Sequence, residues 1–257
     1  MDTEDYNDEI VPLFTCDCPG IVHGSLTRHG GCSGEPFDTN NLSFGVGDNR
    51  RSVADNRERI IQKFGVTTLA SAKQVHGDTI CRVEKEEGNK EIRFEDCDAM
   101  LTNLAGVGLM IGHADCQAVV FFDPVKKVIA AAHSGWRGSV LNIAAKTVAA
   151  MEKDYNCRAG DIRAGISPSL GPCCAEFVNF RKELPPSFWK FQVKDNYFDF
   201  WQITRNQLQE FGIARENISA SGICTSCSAD YYSYRRACRE GDGTTGRNGS
   251  VIALVKE

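Results

Sequence analysis

The residues best suited to chemistry lie in residues 107–139, where polar side chains follow apolar runs. Asp115 and Cys116 come between two such runs, and His133 follows a third, seventeen residues after Cys116. His76 ends an earlier apolar run. A mixture of cysteine and histidine suits zinc, and three protein ligands with one open position are typical of a catalytic zinc site. The sequence therefore predicts a zinc site of His76, Cys116 and His133, where a bound water would be acidified or a substrate atom polarised.

The elements that must position these residues are predicted to be short strands joined by turns. Three apolar runs within residues 107–139 predict strands, and turn residues follow each of them: Leu109–Ile111, Ala118–Phe122 and Val128–Ala132. Residues 69–75 and 79–83 predict a hairpin with His76 at its tight turn. A competing interpretation makes Cys116 a core residue and His133 the capped end of a strand.

The rest of the chain mixes helices and strands without strict β-α-β alternation. This order predicts an α/β fold of the α+β type, with mixed sheets flanked by helices. We expect residues 1–257 to form a single domain, with residues 1–10 as a frayed tail and residues 84–96 as a solvated loop or hairpin. The predicted helices span residues 53–64, 140–153, 175–184 and 200–211, and further strands span 21–26, 162–166, 197–200 and 251–255.

Two other features offer supporting roles at a site. Asp115, or the nearby Asp78, could orient a metal ligand or hold a proton. The glycine-rich loop Thr27–Gly34 carries Arg28 and suits an anion, because its backbone N–H groups can approach one closely. A plain flexible connection explains that loop equally well.

Composition narrows the class of protein. The net charge of −5 argues against a nucleic-acid or anionic-membrane surface. The acidic N-terminus lacks the apolar region of a signal peptide, and no run approaches the ~20 apolar residues of a membrane span. Twelve cysteines in such a chain favour a cytoplasmic protein with reduced thiols. Cys173, Cys174 and the Cys224-x-x-Cys227 pair lack the spacing of a typical structural zinc site, so we expect them to pack in the interior.

Several motifs together resemble the family described as multicopper polyphenol oxidoreductases (laccases), now regarded largely as purine nucleoside phosphorylases. The matches run in order over nearly the whole chain: Thr27-Arg28-x-Gly30-Gly31, Asn41-Leu42, Val46-Gly47-Asp48, Asn56-Arg57, Gln74-Val75-His76-Gly77, Ala114-Asp115-Cys116, His133-Ser134-Gly135-Trp136-Arg137-Gly138, Pro168-Ser169-Leu170-Gly171, Cys224-Thr225, Tyr232-Ser233-Tyr234-Arg235-Arg236 and Gly246-Arg247.

The resemblance implies one zinc held by His76, Cys116 and His133, with Cys116, His133 and Asp115 in catalytic roles. It also implies a layered fold like that of the cytotoxic-necrotizing-factor-type putative cysteine hydrolases. The implied reactions are phosphorolysis of adenosine, inosine and methylthioadenosine and deamination of adenosine, with a purine nucleoside and phosphate as the partners. The expected substrate- and phosphate-binding residues are Arg28, Gln74, Arg137, Arg235 and Arg247.

Four positions depart from the family pattern and bear on pocket shape more than on the metal site. His113 and Gln117 flank the Ala-Asp-Cys motif in place of Thr and Pro, Ser134 replaces an Ala, and Ser167 replaces a Gly. The oxidase name fails on a count, because five histidines cannot supply a blue-copper site and a trinuclear cluster together. A single copper ion in place of zinc remains open.

Two other functions remain open. Cys116 could be a nucleophile and His133 its base, in a hydrolase such as an amidase acting on a cell-wall precursor. The chain could also be a non-catalytic module that binds a metal or a partner. Any deamination would use a different arrangement of residues from that of the zinc deaminases, because the chain lacks their H-x-E…P-C-x-x-C signature.

Overall fold

The computed structural model describes residues 10–15, 17–84 and 90–255 of the chain. These residues form fourteen strands and six α-helices. The strands are β1 (Ile10–Val11), β2 (Ile21–Leu26), β3 (Thr68–Ala72), β4 (Ile80–Arg82), β5 (Glu91–Phe94), β6 (Ala99–Thr102), β7 (Val107–His113), β8 (Gln117–Asp123), β9 (Val128–Ser134), β10 (Arg163–Ile166), β11 (Gln192–Lys194), β12 (Tyr197–Phe198), β13 (Ile218–Ala220) and β14 (Asn248–Leu254). The helices are α1 (Arg50–Phe64), α2 (Trp136–Val140), α3 (Ile143–Tyr155), α4 (Phe180–Glu183), α5 (Phe200–Phe211) and α6 (Tyr234–Glu240).

Two six-stranded mixed sheets form the centre of the fold. The first sheet has the order β1-β2-β14-β7-β3-β5, and the second has the order β13-β10-β8-β9-β6-β4. The strands β11 and β12 form a small separate hairpin. The predicted mixed sheets flanked by helices are therefore confirmed.

The sheets pack face to face, and helices cover their outer faces. Leu109 and Ile111 of β7 meet Val120 of β8 in the core between the sheets. Because side chains alternate along a strand, the neighbouring Phe121 points to the other face of the second sheet, where α3 and α5 pack. Met110 likewise points out of the first sheet towards α1. The layers run in the order helix, sheet, sheet, helix.

Local sequence fixes the ends of the longer helices. The Asn49 side chain accepts hydrogen bonds from the backbone N–H groups of Arg51 and Ser52 at the start of α1. Gly65 ends the same helix at a φ of 62°, a conformation that glycine adopts without strain. The predicted helix at residues 200–211 has the observed bounds of α5, and Gly212 follows it.

Three local predictions were wrong. Residues 69–83 form no hairpin, since β3 and β4 belong to different sheets and residues 73–79 cross between them. Only Phe180–Glu183 of the predicted helix 175–184 is helical, because Phe177 N–H bonds to the Asn196 carbonyl instead. Ile10 pairs with Leu26 and is not part of a tail, whereas residues 1–9 lie outside the described residues.

Part of the predicted solvated segment is also ordered. Residues 91–94 form β5, which pairs in parallel with β3, while residues 85–89 lie outside the described residues. Arg57 of α1 donates to the Glu91 carboxylate at 2.8 Å and holds β5 in place.

Within the described residues, no helix combines the length and the apolar character needed to cross a bilayer.

Candidate metal centre

Three ligand residues from separate elements meet at one end of the two sheets. Cys116 immediately precedes β8, and His133 lies near the end of β9, opposite Ala118 in the antiparallel register. His76 comes from the segment that crosses between the sheets, at a φ of 60°. One ligand atom of each residue lies within 4.8 Å of those of the other two. The structure thus brings together the three residues expected to bind a metal.

Asp98 orients His133, and sequence reasoning missed it. The residue precedes β6, next to His133 on the neighbouring strand, and its carboxylate lies 2.9 Å from His133 Nδ1. The same carboxylate accepts the backbone N–H groups of Val75, His76 and Gly77 at 2.8–3.2 Å. One buried carboxylate therefore fixes the ring of one ligand and the backbone of another. A partner of this kind sets which ring nitrogen faces a metal.

The charges around the two histidines differ. Burial disfavours a charged His133, but the thiolate charge of Cys116 and the Asp98 carboxylate outweigh it and raise the pKa of His133 to about 9. Partial burial and the neighbouring His133 lower the pKa of His76. For Asp98, burial opposes ionisation, but the hydrogen bonds from His133 and Gly77 prevail and lower its pKa. The site therefore favours an ionised Asp98 and a neutral His76, which is the form of histidine that binds a metal.

Gly135 leaves the space that an ion would need. A Cβ atom built at Gly135 would lie 2.9 Å from Cys116 Sγ and 2.9 Å from His76 Nδ1. The φ of Gly135 is −76°, so the backbone does not require glycine here. The donor set of one sulfur and two imidazoles, with this space beside it, fits a zinc ion with an open position. The residues present therefore fit the metal that the family resemblance implies.

A cleft of about 1120 Å³ opens beside the three ligands. Aromatic and apolar side chains form part of its wall, among them Phe44, Trp136, Leu170 and Phe177. Cations line it as well, in the set Arg57, Lys73, Arg93, Arg235 and Arg247. The cleft offers flat apolar surface and positive charge next to the metal ligands, so it suits an aromatic group and an anion.

Arg247 is the best placed of these cations to bind an anion. It is partly buried, and its guanidinium Nη1 donates at 2.9 Å and 3.0 Å to the carbonyls of Thr245 and Gly246. Within the described ranges no carboxylate forms an ion pair with it. Burial lowers the pKa of Arg247, against the opposing charges of Cys116 and Asp115. A desolvated cation without an acidic partner gains most from an added anion.

The other expected binding residues have structural partners. Arg28 lies outside the cleft lining, since it pairs with Asp38 at 3.0 Å and stacks over Tyr232. Arg137 is exposed and lies over Trp136, outside the lining. Gln74 lines the cleft, but its amide both donates to and accepts from the backbone of Gly112. Substrate contacts at Arg28, Gln74 and Arg137 stay predictions, and the charge of Arg137 is one of those that lower the pKa of His76.

Arg235 and Asp115 lie together at the cleft wall. Asp115 Oδ2 accepts the Arg235 N–H at 2.6 Å, and its Oδ1 accepts the Thr225 hydroxyl at 2.7 Å. The Arg235 guanidinium donates to the Glu176 carbonyl. Asp115 therefore joins two loops, and its role in catalysis or in orienting a metal ligand stays a prediction. Asp78 is exposed and pairs with Lys146.

Two positions that depart from the family pattern line the cleft as buried polar residues. His113 Nε2 lies 2.9 Å from Ser250 Oγ, and burial lowers the pKa of His113 to about 3. Gln117 accepts the Thr204 hydroxyl at 2.6 Å. His113 Nδ1 and Gln117 Nε2 have no hydrogen-bond partner among the described residues. Both atoms are enclosed and unpartnered, although their residues line the cleft.

The four cysteines expected to pack in the interior do not do so. Cys173 and Cys227 are exposed, while Cys174 and Cys224 are half-buried. Their sulfur atoms lie together as a second cluster of possible ligands. The prediction of core packing was wrong because it judged the four cysteines by their spacing in the sequence, which does not show that the two loops pair.

Comparison with known proteins shows the family and agrees with this fold. Residues 22–255 match the family described as multi-copper polyphenol oxidoreductase laccase. The chain belongs to this family. It is 34% identical to the protein named purine nucleoside phosphorylase YlmD of Geobacillus stearothermophilus, over 98% of each chain. It is 31% identical to the one named YfiH of Escherichia coli, over 92% of this chain and 95% of the relative.

Solved structures extend the agreement to three dimensions. The crystal structure of YlmD from Geobacillus stearothermophilus matches with a TM-score of 0.83 at 31% identity, over 93% of each chain. That of the hypothetical protein YfiH from Bacillus licheniformis matches with a TM-score of 0.82 at 28% identity. The family resemblance and the mixed α/β fold are thereby confirmed.

The histidines of this chain are not arranged as the laccase family name would require. His76 and His133 lie at the metal centre, while the other three bond elsewhere: His23 to the Leu13 N–H, His29 to Asp230 and His113 to Ser250. A multicopper oxidase would need many imidazoles gathered around its copper ions. The structure therefore agrees with the count made from the sequence.

Proposed function

We propose that this chain is a zinc-dependent purine nucleoside phosphorylase, acting on adenosine, inosine and methylthioadenosine. The observation that carries the proposal is the placement of His76, Cys116 and His133 at a cleft that also contains the partly buried Arg247. The names of the relatives support the reaction class. The mixed sulfur and nitrogen donors favour zinc over a hard cation such as magnesium.

The reaction exchanges one bond at the ribose for another. A phosphate oxygen attacks the anomeric carbon, the bond to the purine nitrogen breaks with its electron pair on the purine, and a proton neutralises the leaving base. The products are ribose 1-phosphate and the free purine. Zinc, when bound by His76, Cys116 and His133, would supply a Lewis acid beside the reacting groups.

The chain's own residues would bind and orient the two substrates. Arg247 would donate to the phosphate, with Arg235 as a second cation at the same wall, and this binding would bring the nucleophile to the ribose. Phe177 and Trp136 offer aromatic surface to the purine, with ring centroids 6.4 Å apart. Asp98 holds His133 in one orientation throughout.

The direct test is an assay of the full chain, of known metal content, with adenosine or inosine. We expect ribose 1-phosphate and free purine only when phosphate is present. The variant Cys116→Ser is the matched control, because it keeps a similar volume but replaces the thiolate ligand. Absence of ribose 1-phosphate from metal-loaded wild-type protein would contradict the proposal.

We further infer that the same centre deaminates adenosine. Water would add to C6 of the purine and ammonia would leave, giving inosine without any need for phosphate. His113 and Gln117 line the cleft with unpartnered polar atoms, which would have to turn towards a bound purine to contact its edge. Inosine formed from adenosine in phosphate-free buffer would support this activity, and its absence would limit the centre to phosphorolysis.

One observation favours a second candidate function. Cys116, His133 and Asp98 are also arranged as the nucleophile, base and orienting acid of a cysteine hydrolase. This arrangement is what the expected likeness to cytotoxic-necrotizing-factor-type hydrolases would require, with a cell-wall amide as a substrate. The metal content of the active protein distinguishes the two functions, because a thiolate bound to zinc is a poor nucleophile. Full amide hydrolysis by metal-free protein, lost on alkylation of Cys116, would favour the hydrolase.

We infer that the chain works as a single domain in the cytoplasm. Both sheets contribute to one shared core, which supports the single domain. The cysteines of the described residues are free thiols, which supports a reducing compartment. Under those conditions zinc suits the centre better than copper, which would cycle with thiols, although one copper ion could occupy the same ligands.

A further inference from the structure

Four cysteines from two loops meet outside the centre described above. Cys173 and Cys174 lie in the loop after β10, and Cys224 and Cys227 lie in the loop after β13. All four sulfur atoms lie within 4.8 Å of one another. Cys227 Sγ lies 3.6 Å from Cys173 Sγ and 3.5 Å from Cys174 Sγ. The sulfurs are thus closer than unrelated surface thiols would be, yet well beyond the ~2.0 Å of a disulfide.

These separations are those of ligands around one ion. Four thiolates at about 2.3 Å from a tetrahedral zinc ion lie about 3.8 Å from one another. We propose that Cys173, Cys174, Cys224 and Cys227 form a second metal site, which binds a structural zinc ion with no open position. This site goes beyond the proposed reaction, because its four protein ligands leave no coordination position for a substrate.

The backbone around the cluster is already arranged to hold an ion. The Ser169 N–H bonds to the Ile223 carbonyl at 3.1 Å, and the Thr225 N–H returns to the Ser169 carbonyl at 3.0 Å, so the two loops pair like strands. The Cys227 N–H bonds to the Cys224 carbonyl at 3.1 Å and closes the turn between those two ligands. The ligands therefore need little further ordering on binding.

Arg236 supports the Cys224–Cys227 turn from within. Its guanidinium donates at 2.8 Å to the carbonyls of Thr225 and Ser228, and it also donates to the Tyr231 carbonyl. The loop is therefore wound around one cation. A zinc ion with four thiolates carries two net negative charges, which a neighbouring guanidinium partly offsets.

Gly171 allows the loops to approach. A Cβ atom there would lie 2.9 Å from the Trp201 ring, 3.0 Å from Cys224 Cβ and 3.4 Å from Cys173 Sγ. The Gly171 N–H also points at Cys224 Sγ, at 3.3 Å. An amide N–H directed at sulfur is a contact that a metal-bound thiolate also accepts.

The cluster would fix one wall of the cleft. The loop of Cys173 and Cys174 also contains the lining residues Leu170 and Glu176, and Thr225, beside Cys224, binds the Asp115 anchor. A bound ion would therefore hold together the two loops that Asp115 joins from the other side.

The test counts zinc bound to the full chain, with zinc ion alone as the probe. The protein is loaded with zinc under reducing conditions, freed of excess metal and analysed by mass spectrometry for metal. We expect two zinc ions per chain in the wild type and one in the double variant Cys173→Ser/Cys227→Ser. Cys32→Ser, which alters an exposed cysteine outside both clusters, should keep two.

A variant that lacks one ligand of the first site, His76→Ala, distinguishes the two metal sites. In His76→Ala we expect one tightly bound zinc ion, which a thiol-blocking mercurial releases. Cobalt in its place should give the strong absorption of thiolate-to-metal charge transfer, which the added double substitution removes. No zinc in the folded His76→Ala protein would overturn the proposal, as would intact masses showing that these cysteines form disulfides after reductive loading. Neither result bears on nucleoside cleavage, so failure here and failure of the proposed reaction are distinguishable.

Discussion

At the scale of single residues, two aspartates near the metal centre make different contacts, and the sequence pointed only to Asp115. Asp98 contacts His133 and three backbone N–H groups of the His76 segment. Asp115 sits beside Cys116 in the sequence but binds Thr225 and Arg235. Adjacency along the chain suggested Asp115, whereas the supporting carboxylate arrives from a neighbouring strand. A single sequence does not reveal that kind of pairing.

Asp98→Asn should lower zinc affinity at the His76 centre by about 10- to 100-fold. An amide can accept on only one atom, so it cannot orient His133 and hold the Val75–Gly77 backbone as the carboxylate does. Asp115→Asn is the matched control, and its zinc affinity should stay within a few-fold of wild type. Competition with a chromogenic chelator measures both. Equal losses in the two variants would show that Asp98 has no special link to the metal ligands.

Arg247→Ala should raise the KM for phosphate by at least 10-fold and change the KM for nucleoside far less. The reason is that Arg247 is a partly buried cation in the cleft without an acidic partner among the described residues, so phosphate would be its main counter-ion. Arg28→Ala should change neither KM, because Arg28 pairs with Asp38 away from the cleft. Steady-state kinetics with each substrate varied in turn gives the comparison. A larger phosphate effect at Arg28 would reverse the assignment.

At the scale of elements, the junction between β9 and α2 leaves room for the metal. Gly135→Ala should reduce zinc affinity at the centre by at least 10-fold, since its Cβ would lie 2.9 Å from both Cys116 Sγ and His76 Nδ1. Its φ of −76° suits alanine, so thermal unfolding of the metal-free protein should change little. Gly160→Ala, with no atom within 4 Å of its Cβ, is the control. Normal zinc binding in Gly135→Ala would place the ion elsewhere.

The helices and strands show which structural features local sequence patterns can predict. The bounds of α5 and the glycine ends of α1 and α5 follow from apolar spacing and from Gly65 and Gly212, because capping is local. The hairpin expected around His76 failed, because periodicity does not show which sheet a strand joins. The crossing segment is held by Asp98 and by Gln74, which bonds to Gly112, and both contacts join residues distant in sequence.

At the scale of the whole molecule, the order of elements was enough to predict mixed sheets with flanking helices. It could not show that the two sheets share a core and that both reach the metal centre. The cysteine pairs failed for the same reason, since their site forms only where the loops after β10 and β13 pair. The parts of the site contained in continuous motifs could therefore be predicted, and those assembled between distant strands could not.

A buried neutral histidine at the end of β7 should make the whole fold sensitive to acid. Burial lowers the pKa of His113 to about 3, so below pH ~6.5 the unfolded state binds a proton that the folded state does not. The free energy of unfolding is therefore unaffected by His113 above that pH. It falls as the pH falls, and the loss due to His113 reaches about 2 kcal/mol at pH 5. His113→Thr, the family residue, carries no such proton.

Urea unfolding of both metal-free proteins at pH 7 and pH 5 measures this contribution. The free energy of unfolding of the wild type should fall more between these two values than that of His113→Thr, whatever their stabilities at pH 7. Equal falls would show that His113 takes up a proton in the folded state.

We propose that His76, Cys116 and His133 bind one zinc ion on which nucleoside phosphorolysis depends. His76 is the most distant ligand in the sequence, forty residues before Cys116. The most direct test is therefore zinc content and phosphate-dependent release of purine from inosine in folded His76→Ala, beside wild type. We expect one fewer zinc ion per chain, unchanged secondary structure and little turnover, because loss of a direct ligand should cost at least the ~10–100-fold in affinity that loss of a supporting partner does. Wild-type zinc content together with wild-type turnover would contradict it.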